Sequence, residues 1–170
     1  MDFLALIVSV TAIITAIMST TSASVRNEAH HQTTLMQDYL KEISEATHSY
    51  FLDISSSSSV EEQTVKSALN KKNMTYELMC SMRCDLLESA MLLLVRRCAR
   101  MWFFDADVES FRADFVSLLG KLRDALSDGA YSEIGDTKSM ILIDGYITKL
   151  HVRLNEYIGE RFRPIFEPRS

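Results

Sequence analysis

The stretch that decides the fold is Phe3 to Val25, FLALIVSVTAIITAIMSTTSASV, in which no charged residue occurs. At helical rise it reaches about 35 Å, enough to cross a hydrocarbon core of about 30 Å. Its densest part ends at Met18, and Asp2 and Arg26 bound the run. A secretory leader has a similar apolar centre, and Ser22-Ala23 offers small residues for cleavage. A leader, however, carries Lys or Arg ahead of that centre, where this chain has Asp2. A buried hairpin helix of a soluble domain is the other alternative. The expectation is a membrane helix. Because Arg26 and Lys41 follow the run while its short N-terminal side carries Asp2, the positive-inside rule places the C-terminal domain in the cytoplasm of a single-pass inner-membrane protein.

Within the run two faces separate. Ala5, Ser9, Ala12, Ala16, Ser19 and Ala23 recur at alternating spacings of four and three, which sets small side chains on one helical stripe. Thr11, Thr15 and Ser22 lie on the neighbouring stripe. Leu6, Ile7, Val10, Ile13, Ile14 and Ile17 occupy the opposite side, a branched surface suited to lipid tails. Small residues permit close helix approach, and hydroxyls in hydrocarbon need partners, so the small face is expected to meet helices of other copies or water. Thr11, Thr15, Ser19 and Ser22 are candidates to line a passage, with Arg26 and His30 one turn apart at its cytoplasmic mouth.

The rest of the chain reads as helix. There are 5 Gly and 2 Pro among 170 residues, with Pro164 and Pro168 close to the C-terminus, so a turn-rich sandwich or barrel is excluded. The net charge of -5 removes the basic balance of a non-specific nucleic-acid binder. No Gly or Pro follows the apolar run for many residues, and Leu35, Met36, Tyr39, Leu40, Ile43, Ala46, Tyr50 and Phe51 keep helical periodicity. Residues 26–54 are therefore expected to extend the membrane helix (1–25) as a rod docked on something apolar. The serines at 55–59 read as a connector, 60–163 as an antiparallel helical bundle and 164–170 as a tail. The fold class is all-α.

Inside the bundle, Ser59 with Glu62 forms a capping-box signature for a helix to about Asn70, and Asn70-Lys71-Lys72-Asn73 reads as a break. A longer helix follows from Met74 to about Phe104, with Leu78, Met82, Leu86 and Leu93 among its apolar positions. Asp107 caps a helix to about Ser127 that buries Val108, Phe111, Phe115, Leu118, Leu119, Leu122 and Leu126, stopped by Asp128-Gly129. The last helix runs from Asp136 or Thr137 to about Arg161 and buries Ile143, Ile147, Leu150, Leu154 and Ile158.

Chemistry is sparsely represented. Cys80, Cys84 and Cys98 are odd in number and form no CxxC pair, so they read as buried thiols rather than a disulfide framework or zinc site. Phosphate loops and hydrolase motifs are absent, and neither a metal nor a cofactor is expected. Arg96, Arg97 and Arg100 fall at helical spacings and form a candidate basic patch, or else a solvated, ion-paired face. Arg26 and His31 are separated by four residues, the spacing of the Arg/His pair of ribonucleases of the HEPN superfamily. A guanidinium could stabilise a phosphorane there and an imidazole transfer a proton.

An apolar run continuing into a long rod, followed by a small helical bundle after Ser59, resembles the membrane accessory proteins of bacterial anti-phage systems. In layout it is most similar to the CRISPR type VI-B membrane-pore accessories, which carry a degenerate HEPN-like bundle. In that family the Arg/His motif belongs in the bundle, whereas the C-terminal helix here has Lys149 and His151 without an Arg at the required distance upstream. What the resemblance implies is a homo-oligomeric membrane ring that permeabilises the inner membrane. Its partners would be lipid and a soluble defence-system protein or ribonucleoprotein. The alternative is a tethered scaffold, which needs only an anchor.

Overall fold

The computed structural model describes residues 3–56, 62–99, 105–131 and 137–161, with side chains over 7–53, 70–98, 108–129 and 137–160. These form 4 helices, α1 (Phe3–Ser56), α2 (Glu62–Ala99), α3 (Asp105–Tyr131) and α4 (Thr137–Arg161), and no strand occurs among the described residues. α1 runs 54 residues without interruption, as a segment lacking Gly and Pro permits. Adjacent pairs α1·α2, α2·α3, α3·α4 and α1·α4 pack together, while the diagonal pairs do not, which is the arrangement of a four-helix bundle.

Side-chain pairs fix the directions. Between α1 and α2, Glu28 meets Arg97 at 2.8 Å, Glu42 meets Arg83 at 2.6 Å and Asp53 meets Lys72 at 3.6 Å, so one helix descends as the other ascends. Between α1 and α4, Gln37 Nε2 donates to Asn155 Oδ1 at 3.0 Å and His48 Nε2 lies 2.8 Å from Asp144 Oδ2, again antiparallel. Between α2 and α3, Arg123 reaches both Asp85 and Glu88. These pairs are partly exposed, where each contributes little stability, so they report register more than they hold the fold.

The core supplies the stability. From α1 come Ala29, Met36, Leu40, Ile43, Tyr50 and Phe51, and from α3 Val108, Phe111, Phe115, Leu119, Leu122 and Leu126, all buried. Every residue expected to be buried on α4 is buried, and Leu118 of α3 packs at the margin. Phe111 stacks on Tyr157 with centroids 4.0 Å apart. Near the far end Tyr50 stacks on Tyr76 at 4.1 Å. Thr47 and Tyr76 are buried with their hydroxyls 3.1 Å apart, and because the Thr47 hydroxyl donates to the Ile43 carbonyl at 2.8 Å, Tyr76 donates to Thr47. That leaves neither polar group stranded in the core.

Residues 26–53 belong to α1 and form the first wall of the bundle, and the apolar surface they dock on is the rest of this chain. Two expectations about helix ends are corrected. The break at Asn70 to Asn73 does not form: none of these residues carries the helix penalty of Gly or Pro, and the Tyr50 hydroxyl donates to Asn73 Oδ1 at 2.7 Å. α3 continues through Asp128-Gly129 to Tyr131. Gly129 lies where α3 passes closest to its neighbours, so that a Cβ there would stand 3.4 Å from Ile143 and 3.5 Å from Phe51. Of the apolar positions on α2, Tyr76, Cys80, Cys84, Leu87, Ala90, Met91, Leu94, Val95 and Cys98 are buried, whereas Leu78, Met82, Leu86 and Leu93 are 40 to 61% exposed. That helix is apolar on two opposite faces, and only one can meet the core. The long α2 ends at Ala99, Ser55 and Ser56 complete α1, and Ser57 to Ser59, Arg100 to Phe104 and the tail fall outside the described residues.

Candidate functional site

The core begins at Ala29, and every described side chain from Ile7 to Ser24 is exposed. This arm of α1 is long and apolar enough to cross a membrane, and none of the described residues covers it. Ile7, Val8, Val10, Ile13, Ile14, Ile17 and Met18 stand 46 to 61% exposed. Taking half-exposed side chains of this size, covering each is worth roughly 1 kcal/mol. Apolar surface of that extent marks an interaction site.

Of the small stripe, Ser9, Ala12, Ala16, Ser19 and Ala23 are exposed together on the arm, and the side chain of Ala5 lies outside the described set. Carried down α1 at spacings of three and four, the stripe leads through Arg26 and His30 to Gln37, Ser44 and His48, the flank that bonds to α4. Thr11, Thr15 and Ser22 line up instead with the core seam of Ala29, Thr33, Met36 and Leu40. The hydroxyl face therefore stands over the bundle, and the small face stands over its α1/α4 side.

The hydroxyls themselves are not in need. Thr11 donates to the Ile7 carbonyl at 2.8 Å and Thr15 to the Thr11 carbonyl at 2.8 Å. Thr20 and Thr21 do the same to Ala16 and Ile17, and these two lie outside the stripes picked out from spacing. A threonine satisfied by its own helix tolerates hydrocarbon, so these donors do not require water.

The candidate basic patch is divided. Arg97 is engaged by Glu28, Arg96 is exposed, and Arg100 is outside the described residues. Arg26, His30 and His31 are exposed on unbroken helix, and the five-residue step from Arg26 to His31 turns about 140° around it. Ser44 and His48 both bond Asp144, which makes the aspartate a bridge between α1 and α4 rather than the end of a nucleophile relay. Spacing alone could not find this contact, because its partners are 96 residues apart.

The thiols are inert by position. Burial pushes Cys80 up to about 12 and Cys84 up to about 11, and Cys98 is fully buried. Thiolate is the reactive form. The folded chain should therefore stay unmodified by a thiol reagent at neutral pH and take up label at Cys80, Cys84 and Cys98 in denaturant. Rapid labelling of the folded chain would contradict the packing of α2.

No family model matches the chain, and no curated protein and no solved structure matches it.

Proposed function

We propose that this chain is an oligomeric single-pass effector of the inner membrane, with α1 crossing the bilayer and the bundle in the cytoplasm, and that it acts by permeabilising that membrane. The observation that carries the reading is the arm from Ile7 to Val25: contiguous with a core helix, uncovered by the other described residues, and bearing branched side chains on one side and small ones on the other. A helix that only anchors gains nothing from such sorting, whereas helices packed around an axis use small side chains to approach one another. The layout similarity to the anti-phage pore accessories points the same way. Arg26 and His30 then stand at the cytoplasmic edge of the assembly.

A second reading is kept because the threonine hydroxyls close on their own carbonyls. Such an arm can also serve as a plain anchor, and the chain is then a tethered scaffold for a cytoplasmic partner.

Native mass measurement of the detergent-solubilised chain separates the two. A closed high-order ring that releases a small dye from liposomes is the expected result, and a monomer or a ring that leaks nothing hands the function to the scaffold. Ala12→Leu with Ala16→Leu should weaken the ring, each contact being worth about 1 kcal/mol. Ile13→Leu, on the lipid side, should leave it intact. Equal tolerance on both sides would remove the small stripe from the assembly.

A further inference from the structure

The outer face of α2 is an apolar surface that the membrane reading leaves unused. Met74, Leu78, Met82, Leu86 and Leu93 recur at helical spacings on the side opposite the core and are 40 to 72% exposed. Lys71 and Arg96 close the stripe at its ends, both exposed. A stripe of this extent matches the largest patch a monomer usually leaves bare, about 300 to 600 Å², and with a polar rim it approaches the 800 Å² or so per partner of a stable interface.

We infer that this face docks a second copy of the chain, with the two α2 helices side by side and parallel. The inference rests on α1 crossing a membrane. α2 runs alongside α1, and from Met74 to Leu93 the stripe extends about 28 Å along the helix axis. Lipid of the bilayer that α1 crosses therefore reaches only its Leu93 end, and a second copy can cover the remainder. Copies inserted in one membrane share one orientation, so a symmetric pair has its two-fold axis along the membrane normal and its α2 helices parallel.

The charges flanking the stripe select the same arrangement. On the side toward α1 the flank is basic: Lys72, Arg83 and Arg97, which reach Asp53, Glu42 and Glu28. On the side toward α3 it is acidic: Asp85 and Glu88, both bonded to Arg123, and Glu77 beside Ser127. In a parallel two-fold pair the α1 side of one helix faces the α3 side of the other, so basic meets acid along both edges. In an antiparallel pair each edge would meet its like. Carboxylates and guanidiniums have capacity for more than one partner, so the intramolecular pairs extend across the contact rather than break. The stripe and the small face of the arm lie on different sides of the bundle, so one copy can engage two neighbours without competition.

Cysteine cross-linking of the full chain in membranes tests this, since the native thiols are buried. Met74→Cys, Met82→Cys and Leu93→Cys should each form a disulfide-linked dimer with itself under mild oxidant, and Ile141→Cys, exposed on α4, should not. An antiparallel pair would cross-link Met74→Cys only to Leu93→Cys, and that result overturns the parallel arrangement. Absence of any cross-link at these sites in carbonate-washed membranes overturns the docking while leaving the membrane reading standing. Loss of the protein to the carbonate supernatant overturns the membrane reading itself. Leu78→Asp with Met82→Asp, both at exposed positions that leave the core untouched, should weaken association of the detergent-solubilised chain by about a hundredfold. An unchanged association constant would contradict the proposal.

Discussion

A chain beginning at Arg26 is expected to leave the membrane and to remain a folded, cooperatively melting helical bundle. The described core starts at Ala29, and the segment from Ile7 to Ser24 contributes only exposed side chains, so its removal takes away no packing. What it removes is exposed apolar surface, a run whose coverage is worth several kcal/mol at roughly 1 kcal/mol per half-exposed side chain. Circular dichroism of the supernatant should retain the helical signal of α2, α3, α4 and the remainder of α1, with a single thermal transition. An aggregated or unfolded product would mean that the arm belongs to the fold.

In that truncated chain, Phe111→Ala should be the most damaging single change. Phe111 is fully buried, stacks on Tyr157 at 4.0 Å and tilts against Phe115 at 5.6 Å, tying α3 to α4 through rings that cannot collapse into the vacated space. Truncating a buried Phe costs about 3 to 5 kcal/mol, a large part of the 5 to 15 kcal/mol that holds a domain. In urea, with a slope near 2 kcal/mol per molar, the midpoint should fall by about 2 M. Val116→Ala, at a position 43% exposed on the same helix, should move it by no more than about 0.5 kcal/mol. Comparable losses at both positions would contradict the assigned faces of α3.

The contrast among the helices shows what a linear sequence discloses. α3 and α4 have one apolar face each, so periodicity alone locates Phe111, Phe115, Ile143 and Leu150 in the core. α2 has two, and spacing cannot rank Leu78, Met82 and Leu86 against Cys80, Cys84 and Leu87. The bundle decides between them, because Cys80 and Cys84 fit beside Tyr76 and Arg123, whereas the outward stripe packs on none of the described helices. Residues 26–53 illustrate a second gap. Met36, Leu40 and Ile43 announce that their helix docks, but not whether it docks on its own chain. Long-range polar pairs such as Gln37 with Asn155 and His48 with Asp144 supply that answer and leave no local trace. For the arm itself, spacing separated small from bulky faces, while the satisfaction of Thr11 and Thr15 within the helix became visible only with the backbone carbonyls in place.

Whether α1 crosses the membrane and leaves the bundle in the cytoplasm is read from labelling of Lys71→Cys in the full-length chain with a membrane-impermeant thiol reagent, using spheroplasts of a bacterial host before and after the membrane is opened. Lys71 is exposed near the end of the bundle farthest from the arm, and the native cysteines are buried, so any label reports that position. The expected result is a membrane-bound chain that is unlabelled in intact spheroplasts and labelled once they are opened. Labelling of intact spheroplasts, or recovery of the chain in the soluble fraction, would contradict it.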